Sequence, residues 1–125
     1  PCDAVDIISK VGGYDIGGMA GLFLGGAVYH IPIVIDGFIS AVSAALASMI
    51  CSLAKEYMLC SHVSREPAGI KMLRYLGFET PINAGLCLGE GTGGVLLLPM
   101  LDAAMAVYDS SHSFDNLSIE KYKEL

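Results

Sequence analysis

The chain alternates between short apolar runs and longer segments whose apolar residues recur at helical spacing. The short runs have the length of buried strands and lie at residues 33–35, 57–60 and 84–88. The longer segments predict helices at residues 3–10, 15–29, 38–53 and 67–76, and from the glycine-rich segment 89–94 to about residue 108. Because helix, strand and turn alternate, the pattern predicts an α/β architecture with a parallel sheet.

Residues that commonly begin helices stand at several of the predicted boundaries. Asp15 is placed to cap the glycine-rich second helix, and Pro67 suits the first turn of a later one. Ser61, Ser64 and Glu66 lie just before Pro67 and supply capping groups for the same helix. The local signals therefore agree with the apolar pattern.

The predicted elements form one domain. Its fold class is α/β, a parallel-sheet Rossmann-like fragment with helices packed on the sheet. A length of 125 residues allows a single domain over residues 1–125. Residues 109–125 are expected to form a polar linker, over 109–116, and a short charged tail helix.

The stretch 16–35 leaves a membrane interpretation open. It contains no Asp, Glu, Lys or Arg and has about the length of a bilayer span. Gly17, Gly21 and Gly25 also have the small-residue spacing of membrane helix pairs. Pro32 interrupts the stretch, however, and no aromatic belt or Lys/Arg cluster marks its ends. We therefore expect a buried core and no membrane partner.

Composition and charge exclude two classes of protein. With 54% hydrophobic and 16% charged residues, the chain is too apolar to be intrinsically disordered. Seven Lys and Arg against thirteen Asp and Glu give a net charge of −6, and the basic residues are scattered. Nucleic acid is therefore not expected as a partner.

The cysteines and histidines form no recognisable metal or disulfide pattern. Cys2, Cys51, Cys60 and Cys87 lack C-x-x-C pairing, and the histidines lie far apart. We expect reduced structural thiols in a cytoplasmic protein, with no metal and no cofactor. Nothing in the sequence orients His62, so no Ser/His/Asp triad is predicted.

Three loops follow the predicted strands, at the end of a parallel sheet where ligands bind. The first begins at Asp36, which by itself is typical of a turn or cap acid. The second covers 61–66, and the third covers 89–94. Their shared position predicts a small-molecule site.

The third loop contains candidate chemistry. Segment 89–94 fits G-x-G-x-x-G, but no second strand with an acid follows, which disfavours a dinucleotide site. Backbone N–H groups of Gly91, Thr92 and Gly93 at a helix start predict a site for phosphate or carboxylate. Glu90 beside them is either a proton-transfer group or a surface acid.

The loop motifs together closely resemble the carboxy-terminal part of the nicotinate-nucleotide–dimethylbenzimidazole phosphoribosyltransferase family. The matching segments are Asp36-Gly37-Phe38, Ser61-His62-x-Ser64-x-Glu66, Leu88-Gly89-Glu90-Gly91-Thr92-Gly93 and, upstream, Gly13-Tyr14-Asp15-Ile16. They occur in the family's order and at matching spacing over nearly all of the chain. The resemblance covers about the last third of the usual enzyme.

The resemblance implies a reaction and a set of site residues. In that family a benzimidazole nitrogen attacks the anomeric carbon of nicotinate mononucleotide, nicotinate leaves, and alpha-ribazole phosphate forms for the cobalamin lower ligand. The family's general base matches Glu90, and its phosphate and ribose contacts match Gly37 and Ser64. The full set of predicted site residues is Glu90 as the catalytic base and, for substrate and phosphate, Gly37, Ser64, Gly89, Gly91 and Thr92.

Two departures from the family pattern bear on function. Cys87 stands where the family usually has an arginine, which should weaken anion binding. The benzimidazole pocket is implied to lie upstream of this chain. The alternative hypothesis is therefore a non-catalytic nucleotide-binding or assembly module derived from the enzyme. A homodimer, or association with the missing upstream part, is the expected assembly.

Overall fold

The computed structural model describes residues 3–110, which form five α-helices, one 3₁₀ helix and two strands. In chain order these are α1 Ala4–Val11, α2 Tyr14–Tyr29, β1 Ile33–Ile35, α3 Phe38–Ile50, the 3₁₀ helix Ser52–Tyr57, β2 Met58–Cys60, α4 Gly69–Leu76 and α5 Thr92–Ser110. Residues 109–110, predicted as linker, complete α5. The remainder of the predicted linker and tail helix lies outside the described residues.

The two strands pair in parallel, as the alternation of elements predicted. Ile33 lies opposite Met58, and Ile35 lies opposite Cys60. The connection between the strands runs through α3, so that β1, α3 and β2 form a β-α-β unit. The chain is thus an α/β protein with a small parallel sheet and helices packed around it.

The prediction of a third strand at 84–88 is wrong. Within the described residues this part of the chain makes a single parallel bridge, between His62 and Ile82. Gly85 has φ +64°, which turns the backbone out of the extended conformation that a strand needs. The segment therefore runs beside the loop after β2 without continuing the sheet.

Two predicted capping arrangements are also wrong. Gly13 is the N-cap of α2, and Asp15 lies in the first turn. There its negative charge interacts favourably with the positive end of the helix dipole. A side chain at Gly13 would collide with the Asp15 carboxylate, so the glycine leaves room for it. The N-cap of α4 is Ala68, with no side-chain capping bond, and Pro67 precedes the helix.

The helix predicted at 38–53 ends earlier than expected. Cys51 adopts an extended conformation after Ile50, and a 3₁₀ helix follows. No glycine or proline marks this boundary, so the apolar pattern continues through it.

Small side chains bring α2 and α3 together at the centre of the core. Ala20 is 2% exposed, and Ala44 and Ala47 are fully buried. A side chain at Gly26 would approach the Ile31 carbonyl to 2.8 Å, so this glycine permits the close turn into β1. The prediction of a buried core over 16–35 holds only in part, because Ala20, Phe23, Gly26 and Ile35 are buried whereas Leu22, Val28, Tyr29 and Ile31 are exposed. No helix among residues 3–110 is long and apolar enough to cross a membrane.

Helix α5 is different, because it contacts the body of the domain mainly through its start. Gly93 and Leu97 are its buried residues. Several large apolar side chains further along α5 are exposed, and they are Val95, Leu96, Leu98, Met100, Met105, Val107 and Tyr108. The helix therefore presents an extensive apolar surface.

Candidate functional site

A cleft of about 870 Å³ opens at the carboxyl ends of β1 and β2. Its lining includes parts of all three loops that follow the predicted strands, among them Asp36, His62 and Glu90. The volume lies within the range of small-molecule sites. The predicted meeting of the three loops is thus present, although the third loop is not preceded by a strand.

The cleft brings together most of the predicted site residues. Those that line it are Gly37, Ser64, Gly89, Glu90 and Gly91. Thr92 is not among the lining residues. Its hydroxyl donates to the Gly89 carbonyl at 2.6 Å, and its N–H donates to the same oxygen at 3.0 Å. Thr92 closes the turn that carries Glu90. The substrate contacts of all these residues stay a prediction.

Asp36 caps α5 from a distant part of the chain. Its Oδ1 accepts hydrogen bonds from the backbone N–H of Gly93 at 2.7 Å and of Gly94 at 3.1 Å. The interpretation of Asp36 as a cap acid is confirmed. The Gly93 N–H, expected to bind an external anion, therefore already has a carboxylate partner.

Glu90 has an unusual backbone conformation for a residue with a side chain. Its φ is +57°, between Gly89 at +76° and Gly91 at +75°. The left-handed region costs a residue with a Cβ roughly 1–2 kcal/mol. The Thr92 bonds to Gly89 close the turn, and the Asp36 cap holds the residue that follows it, so the exposed Glu90 is kept at the edge of the cleft.

His62 is oriented by its neighbour, contrary to the expectation from sequence. The Ser61 hydroxyl is fully buried and lies 2.7 Å from the Ile35 carbonyl, 2.9 Å from the Asp36 carbonyl and 3.0 Å from His62 Nδ1. The imidazole is itself only 6% exposed. The sequence did contain a signal for this contact, because Ser61 and His62 are adjacent polar residues directly after an apolar strand.

Ser64 stabilises a turn rather than the start of α4. The Glu66 N–H donates to Ser64 Oγ at 3.3 Å. Gly69 passes close to Ser64, since a Cβ there would lie 3.1 Å from the Ser64 Cβ. The half-buried Ser64 is thereby held in the wall of the cleft.

The cleft is lined by acids. The carboxylates among its lining residues belong to Asp15, Asp36, Glu66 and Glu90. In the described part of the chain, none of the lining residues is Lys or Arg, and Cys87 occupies the position where the resemblance leads one to expect arginine. Within residues 3–110 the cleft lining therefore offers a phosphate no Lys or Arg side chain.

The cysteines of the described region should differ in reactivity. Burial raises the pKa of the Cys60 thiol from 9.0 to about 11, whereas Cys87 is exposed. Because the thiolate is the reactive form, iodoacetamide at pH 8 should label Cys87 at least tenfold faster than Cys60. Peptide mass mapping over time measures both rates in one sample. Equal rates in the folded chain would contradict this prediction.

The fold and the cleft define an α/β domain with a nucleotide-sized site at the carboxyl ends of parallel strands. A protein-family model described as phosphoribosyltransferase matches residues 1–119. This chain belongs to that phosphoribosyltransferase family.

Individual relatives agree with the family. A nicotinate-nucleotide–dimethylbenzimidazole phosphoribosyltransferase from Clostridium acetobutylicum is 48% identical over 123 residues, covering 98% of this chain. An enzyme of the same name from Acetivibrio thermocellus is 44% identical over 121 residues, covering 97% of this chain. The crystal structure of a protein of this name from Thermus thermophilus superimposes on 96% of this chain with a TM-score of 0.86 at 32% identity.

The chain spans only part of these proteins. It covers 35% of the C. acetobutylicum relative, 34% of the A. thermocellus relative and 36% of the T. thermophilus structure.

Proposed function

We propose that this chain supplies the general base and part of the substrate site for phosphoribosyl transfer from nicotinate mononucleotide to a benzimidazole-type base. The observation that carries the proposal is Glu90, a carboxylate kept in a left-handed turn at the edge of a nucleotide-sized cleft. The names of the relatives support the substrates. The product would be alpha-ribazole phosphate, for the cobalamin lower ligand.

The proposed step needs one proton acceptor. An azole nitrogen forms a bond to the anomeric carbon of the ribose, and the bond from that carbon to the nicotinate nitrogen breaks, with its electron pair leaving on nicotinate. The proton of the azole N–H goes to the Glu90 carboxylate, which acts as the general base. The exposure of Glu90 towards the cleft fits this role.

The glycines of the cleft fit the sugar phosphate. Gly37, Gly89 and Gly91 line the cleft without side chains, which lets a ligand approach the backbone closely. The Gly37 N–H already donates to Ser40 Oγ at 2.9 Å, so it is not free to bind the ligand. What Gly37 provides is room for the ligand next to the backbone. Ser64 supplies a hydroxyl in the same wall.

Adding positive charge to the cleft should strengthen substrate binding. Cys87→Arg places a guanidinium among the lining acids, and we expect affinity for nicotinate mononucleotide to rise roughly threefold to tenfold at low salt. Titration calorimetry at two salt concentrations measures the change. Cys87→Met is the matched control, because it adds length without charge. An equal gain from both variants would contradict an electrostatic origin.

The cation-free lining also favours a second candidate function. A module that binds a nucleotide or a partner chain without catalysis needs no Glu90 chemistry and tolerates a cysteine at position 87. The exposed apolar side of α5 supports association, either with a second copy or with the part of the enzyme that this chain does not include. We propose a cytoplasmic protein of a single domain over residues 1–125 that works in such an assembly.

A chimera tests the proposed function directly. This chain replaces the matching segment of the C. acetobutylicum relative, and nicotinate release from nicotinate mononucleotide is measured with dimethylbenzimidazole present. We expect turnover within about tenfold of the parent enzyme. Binding of the nucleotide without release of nicotinate would contradict catalysis and favour the second candidate. The chain alone is assayed in parallel.

A further inference from the structure

His62 makes one defined hydrogen bond and faces the cleft with the rest of its ring. Its Nδ1 lies 3.0 Å from Ser61 Oγ. Its Nε2 has no hydrogen-bond partner within residues 3–110, and no fully buried side-chain nitrogen or oxygen there lacks a partner. Nε2 is therefore open to the cleft that His62 lines.

The surroundings of Ser61 determine which ring nitrogen carries the proton. A hydroxyl has one hydrogen, and its two shortest contacts are to the carbonyls of Ile35 and Asp36, which only accept. If Ser61 donated to His62 instead, both carbonyls would face oxygen lone pairs at 2.7 and 2.9 Å. The tautomer with Nδ1–H donating to Ser61 is therefore the one that fits these contacts, and in that tautomer Nε2 carries the lone pair.

The hydrogen bond to Ser61 fixes the orientation of the His62 ring. A Cβ at Gly93 would overlap His62 Nδ1 and lie 2.8 Å from Ser61 Oγ, so the start of α5 packs tightly against this side of the imidazole. His62 is 6% exposed, and a ring turned by 180° about χ2 would place Cδ2 instead of Nδ1 beside Ser61 Oγ and lose that hydrogen bond. The hydrogen bond with Ser61 and the packing of Gly93 therefore both hold the Nδ1 side of the ring, and Nε2 lies on the side that faces the cleft.

We propose that His62 Nε2 accepts a hydrogen bond from a ribose hydroxyl of the nucleotide, which makes His62 a sugar-positioning residue. This rests on the proposed function. Phosphate and carboxylate groups are acceptors and do not suit a lone pair. The azole N–H is the proton donor assigned to Glu90. The ribose hydroxyls are the donors that remain in the two substrates.

The tautomer is tested in the 125-residue chain without ligand. Long-range ¹H–¹⁵N correlation spectra of the chain distinguish a protonated Nδ1 from a protonated Nε2. We expect the Nδ1–H form for His62, and Ser61→Ala should shift the signal towards the other tautomer. An Nε2–H form in the parent chain would overturn the proposal whatever the activity of the protein.

Two isosteric variants separate positioning from structure. His62→Gln keeps a polar group near the Nε2 position, and His62→Asn keeps one near Nδ1 and its bond to Ser61. We expect His62→Asn to weaken nicotinate mononucleotide binding by roughly tenfold and His62→Gln by much less. Dimethylbenzimidazole binding to the chimera should change in neither variant. Equal losses in both variants would indicate a structural role and overturn the proposal.

Deoxy analogues identify the group on the ligand. The parent chain should bind the 2′-deoxy or the 3′-deoxy form of nicotinate mononucleotide roughly tenfold more weakly, and His62→Asn should abolish that difference. Unchanged discrimination in His62→Asn would overturn the ribose assignment. Failure of the proposed function is distinguishable, because it appears as absent nicotinate release by the chimera while the tautomer is measured independently.

Discussion

Glu90→Gln is expected to lower nicotinate release by a factor of about 10² to 10⁴, the usual contribution of a general base. Glutamine preserves the size and polarity of the side chain but does not accept the azole proton. Binding of nicotinate mononucleotide should persist, because the change removes a negative charge from an acidic cleft. The chimera with the C. acetobutylicum relative provides the rate, and calorimetry on the chain provides the affinity.

Two controls separate the carboxylate from the backbone of the turn. Glu79→Gln removes an exposed carboxylate that does not line the cleft, and its rate should match the parent. Glu90→Gly removes the carboxylate and relieves the left-handed conformation, so it should be as inactive as Glu90→Gln while being about 1 kcal/mol more stable. Retention of more than a tenth of the parent rate in Glu90→Gln would exclude Glu90 as the base.

Gly93→Ala is expected to lower the free energy of unfolding by roughly 2–3 kcal/mol, equivalent to a fall in Tm of about 10 °C. The added methyl group meets the His62 ring and Ser61 Oγ, neither of which has space to move. Relief of the overlap shifts the start of α5, which weakens the bonds from Gly93 and Gly94 to Asp36. Thermal denaturation followed by circular dichroism measures the loss.

The neighbouring glycine is a matched control for this substitution. A Cβ at Gly94 lies 3.7 Å from Val34 Cγ1, an ordinary contact, so Gly94→Ala should be neutral or slightly stabilising in a helix. His62→Ala combined with Gly93→Ala should recover part of the lost stability, because it removes the ring that the new methyl group overlaps. Equal stability of the Gly93→Ala and Gly94→Ala variants would contradict the packing described here.

Much of the architecture was predictable from local patterns. The β-branched run at 33–35 predicted β1 correctly, and Gly77 correctly predicted the end of α4. Both signals depend only on neighbouring residues in the sequence. The absence of a strand at 84–88 was not predictable in this way, since a single left-handed glycine at position 85 outweighs the apolar run around it.

The site was predictable only in its outline. The rule that ligands bind at the carboxyl ends of parallel strands predicted the position of the cleft, and the loop motifs predicted that Glu90 lies in it. The bonds from Asp36 to α5 join residues 57 and 58 positions apart, and no local signal announces such a contact. The orientation of His62 likewise depends on carbonyls of the first strand and its loop, which approach Ser61 only in the folded chain.

Because α5 is packed against the domain mainly near its first turns, a small rotation at its start displaces its distant end by a much larger distance. Its 19 residues extend about 28 Å at about 1.5 Å per residue, so a rotation of about 10° at the base moves the far end by about 5 Å. The base is the left-handed turn that carries Glu90. Because the start of α5 adjoins this turn, we expect a displacement of the distant end of α5 to shift the Glu90 carboxylate at the edge of the cleft.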